Sequence, residues 1–187
     1  ELFWLTSDRF LDGFLDEFPA DLYITFIDDF RHIYNRLAQR EQWKSEKLTF
    51  TKILYWQNIE VEFTRGLANT RRKSFFALAT GQPVWTLYKL IFHPEIETVY
   101  VKMPISHFRA PEKRTIIDDF IKELDRPFNV FSPLSVEVVG VTPIDKFDDE
   151  EIQTIDNHVV NRDLDWFVEQ CDFGINPYSF WYINVQK

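Results

Sequence analysis

The chain has 187 residues, 45% of them hydrophobic, with five glycines and nineteen phenylalanines; this suits one large packed domain or two small lobes and argues against a disordered chain. A formal net charge of −9 argues against broad nucleic-acid binding and against an anionic membrane surface, although one local cationic cluster still suffices for a small phosphorylated ligand. Cys171 stands alone, so an intrachain disulfide is excluded and a reducing, cytoplasmic setting is expected; no run of about 18 apolar residues and no basic-then-apolar leader suggests a membrane segment.

Residues 1–18 set Phe10, Leu11, Phe14, Leu15 and Phe18 at helical spacing among acids, ended by Pro19, and the first residue is Glu1 rather than Met, so a fragment or processed chain is expected. Leu22–Ile27 reads as a strand running into Asp28-Asp29 and then a helix over about 29–41. An apolar strand ending in a carboxylate is the pattern that holds Mg²⁺ beside a nucleotide, and Asp28 is the candidate for it. The same two residues also suit a helix cap. Thr51–Ala68 reads as a helix in which Tyr55, Ile59, Phe63 and Leu67 repeat every fourth residue. Arg65, Arg71, Arg72 and Lys73 then form the one concentrated positive cluster. For Arg71 and Arg72 a phosphate clamp stands against a cationic helix end favoured by the dipole, while Lys73 fits the helix end.

A strand over 74–79 follows, then a helix from Val84 carrying Leu87, Tyr88, Leu90 and Ile91. A further strand over 98–103 stops at Pro104. Ser106, His107 and Arg109 come directly after it. Ligands of open parallel sheets bind at the carboxyl ends of strands, so these three are candidate ligand residues, with an ordinary wet loop as the alternative. A helix over 112–125 and a strand over 128–131, stopped by Ser132-Pro133, come next. An acidic helix starts near Asp148 with Ile152, Ile155, Val159, Leu164, Phe167 and Val168 on its apolar side, and its end bears Cys171 and Asp172. The tail over 180–185 reads as a last strand or edge segment.

Strands alternate with helices at βαβ spacing, which predicts an α/β fold with a mainly parallel sheet and helices on both faces. A soft boundary near 92–97 divides the chain into units 1–97 and 98–187. His32, His93, His107, His158 and Cys171 have no metal-ligand spacing. Nor does the chain contain a phosphate-binding loop, a dinucleotide fingerprint or a nucleophile elbow.

In the second unit, Met103-Pro104-Ile105-Ser106, Phe131-Ser132-Pro133-Leu134, Asn161-Arg162-Asp163-Leu164-Asp165 and Gln170-Cys171-Asp172-Phe173 occur in the order found in the nucleoside 2-deoxyribosyltransferase-like family, which this half resembles. The resemblance implies a nucleoside or nucleotide pocket lined by the Pro104–Ser106 turn and the Pro133 loop, with Asp163 near a sugar hydroxyl. The family's nucleophilic Glu has no counterpart, since no Glu follows Glu169, so carboxylate-mediated glycosyl transfer is not implied. In the first unit, Phe26-Ile27-Asp28-Asp29, Ile53-Leu54-Tyr55-Trp56 and Pro83-Val84-Trp85-Thr86-Leu87-Tyr88 resemble P-loop nucleotide kinases of the adenylate-kinase type, without their phosphate loop.

Together these readings predict a nucleotide- or nucleoside-binding protein, with Mg²⁺ arriving with the nucleotide at Asp28 and a pocket between Ser106, Pro133 and Asp163. Any catalysis would be kinase- or NTPase-like or nucleoside-processing. The rival expectation is a non-catalytic interaction protein with a degenerate pocket, whose aromatic surface, such as Trp181 and Tyr182, packs on a partner or a second copy.

Overall fold

The computed structural model describes residues 20–44, 48–102, 111–136 and 149–177. β1 (Leu22–Ile27) runs parallel to β2 (Ser74–Ala79), from Leu22 opposite Ser74 to Ile27 opposite Ala79. β3 (Thr98–Val101) is the central strand of a second sheet, parallel to β4 (Asn129–Phe131) on one side and β5 (Phe173–Ile175) on the other. All four β3 residues are buried, as expected of a strand paired on both edges and covered on both faces. Every strand pair among the described residues is parallel, so the molecule is an α/β protein of the expected kind.

The helices joining these strands are α1 (Phe30–Ala38), α2 (Glu41–Lys44), α3 (Phe50–Thr70), α4 (Val84–Phe92), α5 (Pro111–Leu124) and α6 (Asp149–Asn161), which passes into a π-helical segment, Arg162–Val168. Their ends follow local chemistry. Thr49 caps α3 by accepting from the Lys52 amide at 3.3 Å. At the other end, Lys73 N–H donates to the Ala68 carbonyl and Arg72 N–H to that of Asn69, a Schellman closure with Arg72 at φ 54° where glycine is the usual occupant. Buried Lys89 of α4 donates to the Phe128 carbonyl at 2.8 Å, to the Asp125 carbonyl and to Asp125 Oδ1, so its charge meets the exposed carbonyls just past the end of α5.

Alternation along β3 splits the core in two. Val99 and Val101 point to one face, where they pack with Val130 and with Ile117 and Phe120 of α5. Tyr100 points to the other and joins Phe131, Trp166, Phe167, Leu90, Val61 and Leu78. That second cluster draws on both sides of residue 97. Phe76 of β2 stacks on Phe131 of β4 at 6.1 Å, and Phe131 meets Phe167 at 6.3 Å. Polar bonds follow the same seam: the Gln170 amide accepts from Ala77 N–H at 2.8 Å and donates to the Ala77 carbonyl at 3.0 Å, filling the ladder positions that β2 offers there.

Two expected faces are corrected. In α3 the buried line is Ile53, Leu54, Gln57, Val61 and Ala68, while Tyr55 of the four-residue repeat faces solvent. The helix is apolar on several sides, so periodicity marks the element without selecting the side that meets the sheet. In the last helix Leu164 and Val168 are exposed, whereas Phe167 is buried as expected, together with Arg162 and Trp166. The π-helical segment, closed by Glu169 N–H on the Leu164 carbonyl, adds a residue to the turn and rotates the following face. The segments 1–18 and 180–185 lie outside the described residues.

Candidate functional site

Because β1 and β2 are parallel and in register, the loops after Ile27 and after Ala79 leave the same edge. Thr80 N–H donates to the Ile27 carbonyl at 2.8 Å and holds them together. The loop after β4 joins this edge through Gly81: a Cβ on that residue would lie 2.4 Å from the Ser135 carbonyl oxygen, so only glycine permits the approach. Gln82 adds a side-chain bond to the Val130 carbonyl. The fold thus brings Asp28, the Gly81 turn and the Pro133 loop to one carboxyl edge. Pro133 itself is fully buried, starting a 3₁₀ turn (Pro133–Ser135) whose Leu134 amide donates to Ser132 Oγ.

The two candidate carboxylates of this edge have separate jobs. Asp29 is the α1 cap: it accepts from Arg31 N–H at 2.8 Å and pairs with the Arg31 guanidinium at 2.8 and 2.5 Å. Asp28 is relieved of capping. Its backbone is clamped by the Gln57 amide, which accepts from Asp28 N–H at 3.2 Å and donates to its carbonyl at 3.0 Å. The Asp28 carboxylate accepts from Asp29 N–H at 2.9 Å and stands 3.4 Å from both His32 Nδ1 and Arg36 Nη1. His32 and Arg36 lie four and eight residues on, along one face of α1; Arg36 is largely exposed and His32 partly so. Sequence reasoning missed these two side chains, though their i+4 and i+8 spacing from Asp28 was the available signal.

Arg71 and Arg72 are placed elsewhere. They close α3 just before β2 begins, at the amino edge, and six residues of strand, roughly 17 Å, separate that edge from Asp28. No single small-ligand pocket takes both groups. Arg65 is committed as well, to the Asp165 carbonyl at 2.5 Å and Glu169 at 3.2 Å. Asp163 takes the buried Arg162 guanidinium at 2.9 and 2.8 Å; burial raises its pKa while Arg162 pulls it down. Ser106, His107 and Arg109 lie outside the described residues.

Beside Arg162, burial and the guanidinium charge push His158 down to about 4, and the ring packs edge-on to Trp166 at 5.5 Å. Burial pushes the Cys171 thiol up to about 12, so it stays protonated and inert as a nucleophile. Asp172 ties the start of β3 to that of β5, its carboxylate accepting from Thr98 N–H at 2.7 Å and Thr98 Oγ1 at 2.9 Å. Among the described residues, no group of three or more His, Cys, Asp or Glu side chains is arranged to hold a metal ion, and no helix is long and apolar enough to cross a membrane. Asp28 offers one carboxylate, which fits Mg²⁺ only as a partner to phosphate oxygens and water. In comparisons with known proteins, no family model, curated protein or solved structure matches the chain.

Proposed function

We propose that this chain binds a nucleotide, or a nucleoside, at the carboxyl edge of its parallel strands, with Asp28 beside the Mg²⁺ that accompanies the phosphates. His32 and Arg36 then serve the phosphate oxygens, and Ser106, His107 and Arg109, which follow β3 in the sequence, supply further contacts. The observation that carries this reading is Asp28: a carboxylate at the end of a parallel strand, relieved of capping by Asp29 and flanked by the exposed Arg36 guanidinium and the His32 ring. Arg71 and Arg72 are left out because they lie at the opposite edge. If a reaction follows binding, it is phosphoryl transfer or nucleoside processing. A second reading, a non-catalytic interaction protein, has the exposed aromatic side of α4 in its favour.

A thermal-shift screen of nucleosides and nucleotides, each with and without Mg²⁺, tests the proposal. A ligand at ~100 times its dissociation constant stabilises by ~2.7 kcal/mol, a rise of roughly 5–10 °C for a chain of this size. A flat response to every compound in both conditions contradicts it.

A further inference from the structure

Helix α4 is apolar on two sides. Thr86, Lys89 and Leu90 turn inward, while Val84, Trp85, Tyr88, Ile91 and Phe92, spaced i, i+1, i+4, i+7 and i+8, form an outer face. Trp85 is 55% exposed and Phe92 63%. Their rings are already ordered: Trp85 stacks on Tyr88 at 4.6 Å with 12° between planes, and Tyr88 meets Phe92 at 4.9 Å. We propose that this face joins two copies of the chain, α4 against α4, about a two-fold axis near Tyr88.

Three observations select a second copy as the occupant. Lys89 is the only charged residue of α4, and it is turned inward onto Asp125 and the Phe128 carbonyl, so the outer face carries no charge. In a chain with 30 acidic and 21 basic residues, most surfaces repel their own copy; this one does not. A face without cations also gives nothing to an anionic lipid surface or an acidic partner. The second observation is area. Five large side chains, three of them aromatic rings of ~150–250 Å² each, expose on the order of 500 Å² as placed. That is most of the ~800 Å² per partner of a standard interface, leaving a rim to supply the rest. The third is symmetry. Tyr88 is the midpoint of the nine residues of α4, so an antiparallel two-fold pairing sets Val84 of one copy opposite Phe92 of the other and keeps Tyr88 on the axis.

Sedimentation of the whole chain over ~1 to ~100 μM tests this. The expected result is a species of twice 22.5 kDa at the upper end. Tyr88→Glu brings like charges together on the axis and Trp85→Glu buries a lone charge against Ile91 of the other copy; each is expected to weaken association at least ~100-fold. Circular dichroism and urea midpoints check that both remain folded; if Tyr88→Glu does not fold, Phe92→Glu takes its place. Lys122→Glu, an exposed change on α5, is expected to leave the dimer intact. A wild-type chain that stays monomeric at ~100 μM overturns the proposal, and so does a dimer that survives the α4 changes.

Discussion

Arg72 shows how one residue's backbone decides between two readings of its side chain. A basic cluster after a helix suits a phosphate clamp, but φ 54° makes Arg72 the left-handed closing residue of α3, at the amino edge. An L-residue there costs roughly 1 kcal/mol relative to glycine. Arg72→Gly is therefore expected to raise the unfolding free energy, read by urea denaturation, by about that amount and to leave nucleotide affinity unchanged; lost affinity would return Arg72 to the site. His158 carries a second consequence. Its folded pKa of about 4 lies below the ordinary 6.5, so its contribution is fully present above pH 6.5. As pH falls toward 4 the unfolded state takes up a proton that the folded state refuses, and roughly 3 kcal/mol is lost. Denaturation at pH 7.5 and pH 4.5 is expected to show a shallower loss for His158→Gln than for wild type; equal slopes would contradict this account. At Asp28 and Asp29 the sequence offered a cap and a site carboxylate without dividing the roles, because either residue satisfies the capping rule. The division depends on Gln57, 29 residues away, gripping the Asp28 backbone.

At the scale of elements, β-rich apolar runs and helical repeats located β1 to β4, α1 and α3 to α6, but not the short α2, since burial on both faces and cap residues leave local marks. Side selection was less legible. Leu164 and Val168 lie at good α-helical spacing from the apolar residues of α6, and only the extra residue of the π-helical turn turns them out and brings Trp166 in beside the expected Phe167. Nothing local in Arg162-Asp163-Leu164-Asp165 announces that turn. Phe167→Ala is expected to cost about 3–5 kcal/mol, since the ring touches Tyr100 and Phe131, whereas Leu164→Ala should stay within about 0.5 kcal/mol. Chemical denaturation of the two variants checks this, and comparable losses would mean that the face is not rotated. β5 is three residues with a glycine at its centre, too short for a periodic signal, and its place beside β3 rests on Asp172 bonding to Thr98.

For the whole molecule, the α/β class was legible because parallel sheets impose alternation along the chain. The meeting of loops was not. Gly81 reads as a turn residue, yet its reason is a carbonyl 54 positions later. Through that contact the loops after β1, β2 and β4 share one edge, and on this edge the proposed function stands. Calorimetric titration of ATP with Mg²⁺ into wild type and Asp28→Asn at equal fold stability is the most direct measurement, since the substitution keeps the shape and removes the charge. The account predicts measurable binding by wild type that depends on Mg²⁺, and a loss of at least ~10-fold, about 1.4 kcal/mol, in the variant. Equal affinity in the two proteins, or no binding by wild type, would contradict it.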